Sequence, residues 1–295
     1  MRTQIIRYVF FSVLITLLLA VGLAACNAHN ESQTLRLATT TSTYDSGLLD
    51  AILPAFEEES GVHVDVVAVG TGQALAIGAA RDADVLLVHA PELEKAFVAD
   101  GNGLARYPVM FNDFVIVGPP ADPAGIAALD SAAAALSAIA ASGAEWASRG
   151  DESGTHVKER SLWTAAGLAP DPAVDGWYRA LGQGMGATLQ FAHERNAYTL
   201  TDRGTFLAQQ NNLQNLTILF GGDTIAANPD PSLRNNYSVI PVAPAAGADI
   251  DVAGAETFVA WLISLPVQRT IAQFGNAEFG QALFYPDSEP WRAEN

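Results

Sequence analysis

Three times between Thr34 and Asp100 a short β-type run is followed by a helical one, and no other feature limits the possible folds as much. The first pair is "TLRLATT", which alternates and then passes into hydroxyls, and "SGLLDAILPAFEEESG". In the latter, Leu48, Leu49, Ile52, Leu53 and Phe56 recur at helical spacing, with Gly61 as a stop. "VHVDVVAVG" then precedes "TGQALAIGAAR", and the apolar "DADVLLVHA" precedes "PELEKAFVADG". Strands joined through helices run parallel, because the crossover returns the chain to the same end of the sheet. An α/β fold follows, and with it a place to look: ligands of open sheets sit beyond the carboxyl ends of the strands.

The pattern starts late. Residues 1–25 hold Arg2 and Arg7, then the apolar run Tyr8 to Leu23, then small residues leading to Cys26 in "LAAC". That layout is an export signal rather than part of the fold. It resembles a bacterial lipoprotein box, which implies cleavage before Cys26 and lipidation of its thiol. Cys26 is the only cysteine in the chain, so no internal disulfide is expected. Residues 26–33 read as the lipidated cysteine and a polar tether. The mature protein is expected outside the cytoplasm, held to the cell membrane by its acyl chains. Its formal charge is −17, or −19 without Arg2 and Arg7, and so acidic a surface repels nucleic acid.

At 295 residues the chain has length for about two domains. "FNDFVIVGP" (Phe111 to Pro119) and "NNYSVIPVAP" (Asn235 to Pro244) echo each other, each with asparagine, an aromatic, a β-branched run and a proline. They read as strands on which the chain crosses between two lobes. The expected division is 34–115 plus 238–295 for lobe one and 116–237 for lobe two, each a mainly parallel sheet flanked by helices. "AALDSAAAALSAIAASG", "HVKERSLWTAAG" and "GMGATLQFAHERN" supply helices to the second lobe, and "AETFVAWLISLPVQRTIAQFG" two more to the first.

Three hydroxyl-rich loops stand where helices begin: "TTTSTYDSG" (Thr39 to Gly47), "VGTGQAL" (Val69 to Leu75) and "SRGDESGTH" (Ser148 to His156). The first N–H groups of a helix lack intrahelical acceptors and carry partial positive charge. Glycine lets a ligand approach the backbone, and Ser and Thr add O–H donors, which together suit an oxyanion. One such loop alone is explained by capping. Three of them with Arg149, whose planar fork can hold two oxygens, point to a buried dianion.

"ATTTSTYDSGLLD", "SRGDESGTH", "YTLTDRGTF" and "NDFVIVGP" together closely resemble the tungstate-binding proteins of bacterial ABC importers, over nearly the whole mature chain. The resemblance implies a two-lobed periplasmic-binding-protein fold of the second type, with one oxyanion in the interlobe cleft and a membrane permease as partner. It implies tungstate as the ligand, then molybdate, and no cofactor. Carried over by motif, the ligand-binding residues are Thr40, Thr41 and Ser42 from the first loop and Thr71 from the second. The third supplies Arg149, Ser153, Gly154 and Thr155. Asp151 is expected to hold the guanidinium or cap the next helix, Arg203 to act as a second cation or a salt-bridge partner, and Tyr198 to line the cleft or the core.

Other readings are weaker. Ser153, His156 and Asp151 are the residue types of a hydrolase triad, but they lie within six positions and no G-x-S-x-G elbow exists, so an enzyme is not expected. His29, His63, His89, His156 and His193 lack metal-ligand spacing. Phosphate is the runner-up ligand, because Asp45, Asp151 and Asp202 lie near the site and hydrogen phosphate needs an acceptor. A ligand-sensing lipoprotein is the other alternative, and a monomer is expected in each case.

Overall fold

The computed structural model describes residues 34–295; the signal segment, Cys26 and the tether lie outside the described residues. The strands are β1 (Thr34–Thr40), β2 (His63–Val69), β3 (Val85–Val88), β4 (Tyr107–Gly118) and β5 (Trp146–Ser148). They continue with β6 (Tyr178–Ala180), β7 (Thr199–Asp202), β8 (Thr217–Phe220), β9 (Arg234–Pro241) and β10 (Tyr285–Pro286). The large sheet runs β10-β4-β9-β3-β1-β2, with β7 and β8 also paired to β4, while β5 and β6 form a separate pair.

The three opening strands are parallel, β1 lying between β2 and β3. The helices between them are Leu48–Ser60 and Thr71–Ala80. Leu48, Leu49, Ile52, Leu53 and Phe56 are all buried, so the helical stripe read from the sequence is the face that meets the sheet. β5 and β6 are parallel as well. The ladders of β4 and β9 depart from the mainly parallel expectation. β9 runs antiparallel to both β3 and β4, and β4 antiparallel to β7, β8 and β10. A strand that carries the chain across to another lobe has no local helical crossover to set its direction, so it can enter antiparallel.

β4 is twelve residues long and serves three cores, Val115 and Val117 packing with Leu189 and Phe206. Val109 and Met110 belong to a core with Leu35, Leu37, Phe56, Tyr237 and Phe258. Phe114 and Ile116 belong to another with Leu136, Trp146, Trp163 and Leu233. Core membership therefore changes between Met110 and Phe114 and changes back between Leu233 and Tyr237, a few residues before the expected 115/116 and 237/238 boundaries. Leu207 is an exception, reaching from the second segment into the first core. Among the described residues no helix is long and apolar enough to cross a membrane.

Candidate functional site

β1, β2 and β3 end at Thr40, Val69 and Val88, and their parallel pairing brings these ends to one edge of the sheet. The hydroxyl run after β1 is a short helix, Thr41–Asp45, where a loop was expected. Thr40 caps it, Oγ1 accepting from Thr43 N at 3.3 Å, and this local bond lets a run of poor helix formers turn. Thr41 and Ser42 line a cavity of about 910 Å³ whose facing wall includes Arg149, Gly184, Met185, Gly186 and Thr205. After β2, Gly70 caps the helix Thr71–Ala80, and Thr71 Oγ1 is buried without a hydrogen-bond partner among the described residues.

Arg149 follows β5, whose backing is polar. The buried Glu159 accepts from Trp146 Nε1 (2.9 Å), Ser148 Oγ (2.8 Å), Tyr178 OH (2.9 Å) and Trp163 Nε1 (3.2 Å). Burial pushes its carboxyl above the usual range despite those four partners. The strand is thus pinned from behind, and Arg149 projects from a fixed end. Its Nε and Nη2 donate to Asp151 Oδ2 at 3.1 and 2.5 Å, which leaves Nη1 without a partner among the described residues. Burial raises the Asp151 carboxyl, but hydrogen bonds from Ser153 and Arg149 outweigh it and hold the group below its ordinary value. Gly150 has φ +62°, and a Cβ there would stand 3.0 Å from Ala180 Cβ, so the turn that aims Arg149 requires glycine.

The three loops converge. A Cβ placed on Gly154 would lie 3.6 Å from Thr71 Oγ1 and 3.1 Å from His89 Cε1, so the amino end of helix Gly154–Ala165 abuts the ends of β2 and β3. Gly154 and Thr155 stand in the first turn, where N–H groups have no intrahelical acceptor. Two candidates have their hydroxyls engaged elsewhere. Ser153 donates both N–H (3.2 Å) and O–H (2.6 Å) to Asp151 Oδ1, and its Oγ accepts from His156 N. Thr40 Oγ1 lies 2.6 Å from Thr43 Oγ1 and 3.2 Å from His89 Nε2. Ser153 and Thr40 are caps in this geometry, with no hydroxyl hydrogen to spare for a ligand.

The residues considered for supporting roles separate clearly. Asp151 is the partner of Arg149 described above. Arg203 is not on the surface: it is 1% exposed and bound to Asp113 and to the carbonyls of Gly221 and Gly222. Tyr198 packs in the second core, its hydroxyl donating to Asp122 at 2.8 Å and accepting from Ala124 N. The triad types do not form a nucleophile and base. Ser153 gives its proton to Asp151, while His156 Nδ1 accepts the Glu152 N–H at 3.0 Å.

Sequence reasoning set His89 aside as one histidine of five, and missed the Gly184–Gly186 segment on the cavity wall. The rule that placed the first two loops would have found His89, since it is the first residue after β3. Its Nδ1 lies 3.0 Å from Asn235 Oδ1, and its ring stacks on Tyr237 at 4.7 Å. Burial lowers its pKa from 6.5 to about 4, so the folded protein keeps it neutral. The unfolded chain binds that proton already near 6.5, so stability should fall as pH drops from 6.5 to 4 and change no further on this account below 4. The difference amounts to about 3 kcal/mol. Urea unfolding across this window should show it, and the same series on His89→Gln should lack it.

Residues 27–265 match the PBP superfamily domain, PBP standing for periplasmic-binding protein. The chain belongs to that superfamily, and its fold is the two-lobed type II arrangement. Among its relatives, the tungstate-binding protein TupA of Peptoclostridium acidaminophilum is 41% identical over 92% of this chain and 96% of its own length. Of solved structures, the tungstate-binding protein TupA from Desulfovibrio alaskensis G20 matches at TM-score 0.76 and 46% identity, covering 87% of this chain and 100% of that one. The tungstate ABC transporter structure from Geobacter sulfurreducens matches at TM-score 0.72 and 47% identity, covering 83% and 100%.

Proposed function

We propose that the chain is the solute-binding component of an ABC importer and captures a tetrahedral oxyanion, tungstate before molybdate, between its two lobes. The observation that carries this is the orphaned Thr71 hydroxyl, set against Gly154 at the start of a twelve-residue helix. A buried hydroxyl without a partner costs about 1–3 kcal/mol, which a ligand oxygen would recover. The proposed ligand set is Thr41, Ser42, Thr71, the Arg149 Nη1 and the N–H groups of Gly154 and Thr155, with Thr40, Ser153 and Asp151 holding the loops. Relatives named as tungstate-binding support the choice of anion.

The carboxylates near the site disfavour hydrogen phosphate. Asp151 and Asp202 have both oxygens engaged, the latter with Thr205 N and Oγ1, and Asp45 is exposed at the rim. Asp151, the carboxylate beside Arg149, already accepts two bonds at each oxygen, which favours a fully deprotonated dianion. Binding stabilises the form in which the lobes meet, and β4 and β9 are where they swing. The role is delivery to a permease rather than catalysis, from an exported protein tethered through lipidated Cys26. A thermal-shift panel tests the ligand. Tungstate at one hundred times its Kd should add about 2.7 kcal/mol of stability, raising Tm by several degrees, with phosphate giving no shift. A shift with phosphate alone would make this a phosphate receptor.

A further inference from the structure

We propose that His89 is a positioning residue that decides which hydroxyls of the Thr40–Thr43 run face the oxyanion, by taking up the Thr40 hydrogen and tying that loop to both crossing strands. The inference rests on the oxyanion reading and adds to it a residue that does not touch the ligand. Its starting point is the side-chain amide of Asn235. The amide nitrogen donates to Asn112 Oδ1 at 2.8 Å and to Tyr237 OH at 3.1 Å, so both of its hydrogens are used. The oxygen facing His89 Nδ1 can only accept, and His89 must carry its hydrogen on Nδ1. A buried neutral ring then presents a bare lone pair at Nε2.

Two hydroxyls can supply a hydrogen to that lone pair, Thr40 Oγ1 at 3.2 Å and Ser42 Oγ at 3.4 Å. Thr40 is the nearer and the more deeply buried, and Thr43 Oγ1 at 2.6 Å can donate to it in turn. With Thr40 as donor the bonds run in one direction, from Thr43 through Thr40 and His89 to Asn235 and then Asn112. Every hydrogen along the way finds an acceptor. Ser42 Oγ, 3.3 Å from Thr40 Oγ1, is then not needed by His89, and with Thr41 it already lines the cavity opposite Arg149. The relay joins the loop after β1 to Asn112 on β4 and Asn235 on β9, the strands that cross between lobes. Between those two nitrogens the ring's Cε1 meets Gly154 of the facing lobe. One side chain therefore touches the ligand loop, the crossing strands and the opposite wall.

The test begins on the wild-type protein without ligand. Nitrogen-15 NMR should find His89 neutral and protonated on Nδ1; protonation on Nε2 instead would overturn the proposal. Tungstate titration calorimetry then compares variants. Ser42→Ala and His89→Leu should each weaken binding about tenfold, the loss of one oriented hydrogen bond, and Thr40→Val should approach that loss without exceeding it, because it leaves Ser42 as the hydroxyl within reach of Nε2. His89→Gln, whose amide oxygen can accept near the Nε2 position, should recover most of the affinity lost in His89→Leu. Wild-type affinity in His89→Leu, or a greater loss in Thr40→Val than in Ser42→Ala, would overturn the assignment. Absence of tungstate binding by the wild type would instead strike the functional reading, leaving the NMR result to judge His89 by itself.

Discussion

Arg149→Ala is expected to lower tungstate affinity about a thousandfold while leaving the fold intact. Two losses combine. Among the described residues the guanidinium is the one full positive charge lining the cavity of Thr41 and Ser42, and it is 12% exposed, so solvent screens it poorly. Its removal also strands the Asp151 carboxylate, which now meets the dianion without a counter-charge. Truncating one member of a desolvated charge pair costs about 2–5 kcal/mol, and 4 kcal/mol is close to three decades in Kd. The fold should persist because Arg149 closes no core; calorimetry and a melting curve on the same sample check both halves. Arg149→Lys keeps the charge without the fork and should fall between. In the double variant Arg149→Ala with Asp151→Ala the repulsive carboxylate is gone, so affinity should be better than in Arg149→Ala. Equal affinities would mean that Asp151 only shapes the loop.

The same residues show how far the sequence could be read. Periodicity was enough for the opening strands and helices, because Leu48 to Phe56 and the run "VLLV" can be buried in only one way. Composition marked the three hydroxyl-rich loops, since Ser, Thr and Gly before a helix leave donors open. It could not apportion the donors. Thr40 and Ser42 are chemically alike, and only the place of His89, forty-seven residues from Ser42, distinguishes them. Nor could it give strand direction in the crossing region, which depends on pairings such as Val85 with Pro241. The turn at Thr41–Asp45 escaped for a local reason: a cap stabilises it against the weak helix preference of its residues. Arg203 was left between second cation and salt-bridge partner for the opposite reason, its partner lying ninety residues away.

That arginine should give the reverse phenotype to Arg149. Arg203 Nε and Nη2 hold the two oxygens of Asp113 at 2.9 and 2.6 Å, and Nη2 and Nη1 donate to Gly221 O and Gly222 O at 2.7 and 2.8 Å. Asn228 Nδ2 adds a further bond to Asp113 at 2.8 Å. Both charges are almost wholly buried, and Asp113 lies on β4 where core membership changes. Arg203→Ala leaves a buried carboxylate and two carbonyls unpaired, which costs about 3–5 kcal/mol. For a chain of this size that lowers Tm by roughly 10 °C. Arg203→Lys should recover only part of it, because one ammonium cannot match a fork that meets four oxygens. The folded fraction of Arg203→Lys should bind tungstate within about threefold of wild type, since the side chain faces Asp113 and not the cavity. A large loss of affinity at normal Tm would put Arg203 among the ligand contacts instead. The opposite pattern, low Tm with near-normal binding, would assign one arginine to the anion and the other to the strand on which the lobes turn.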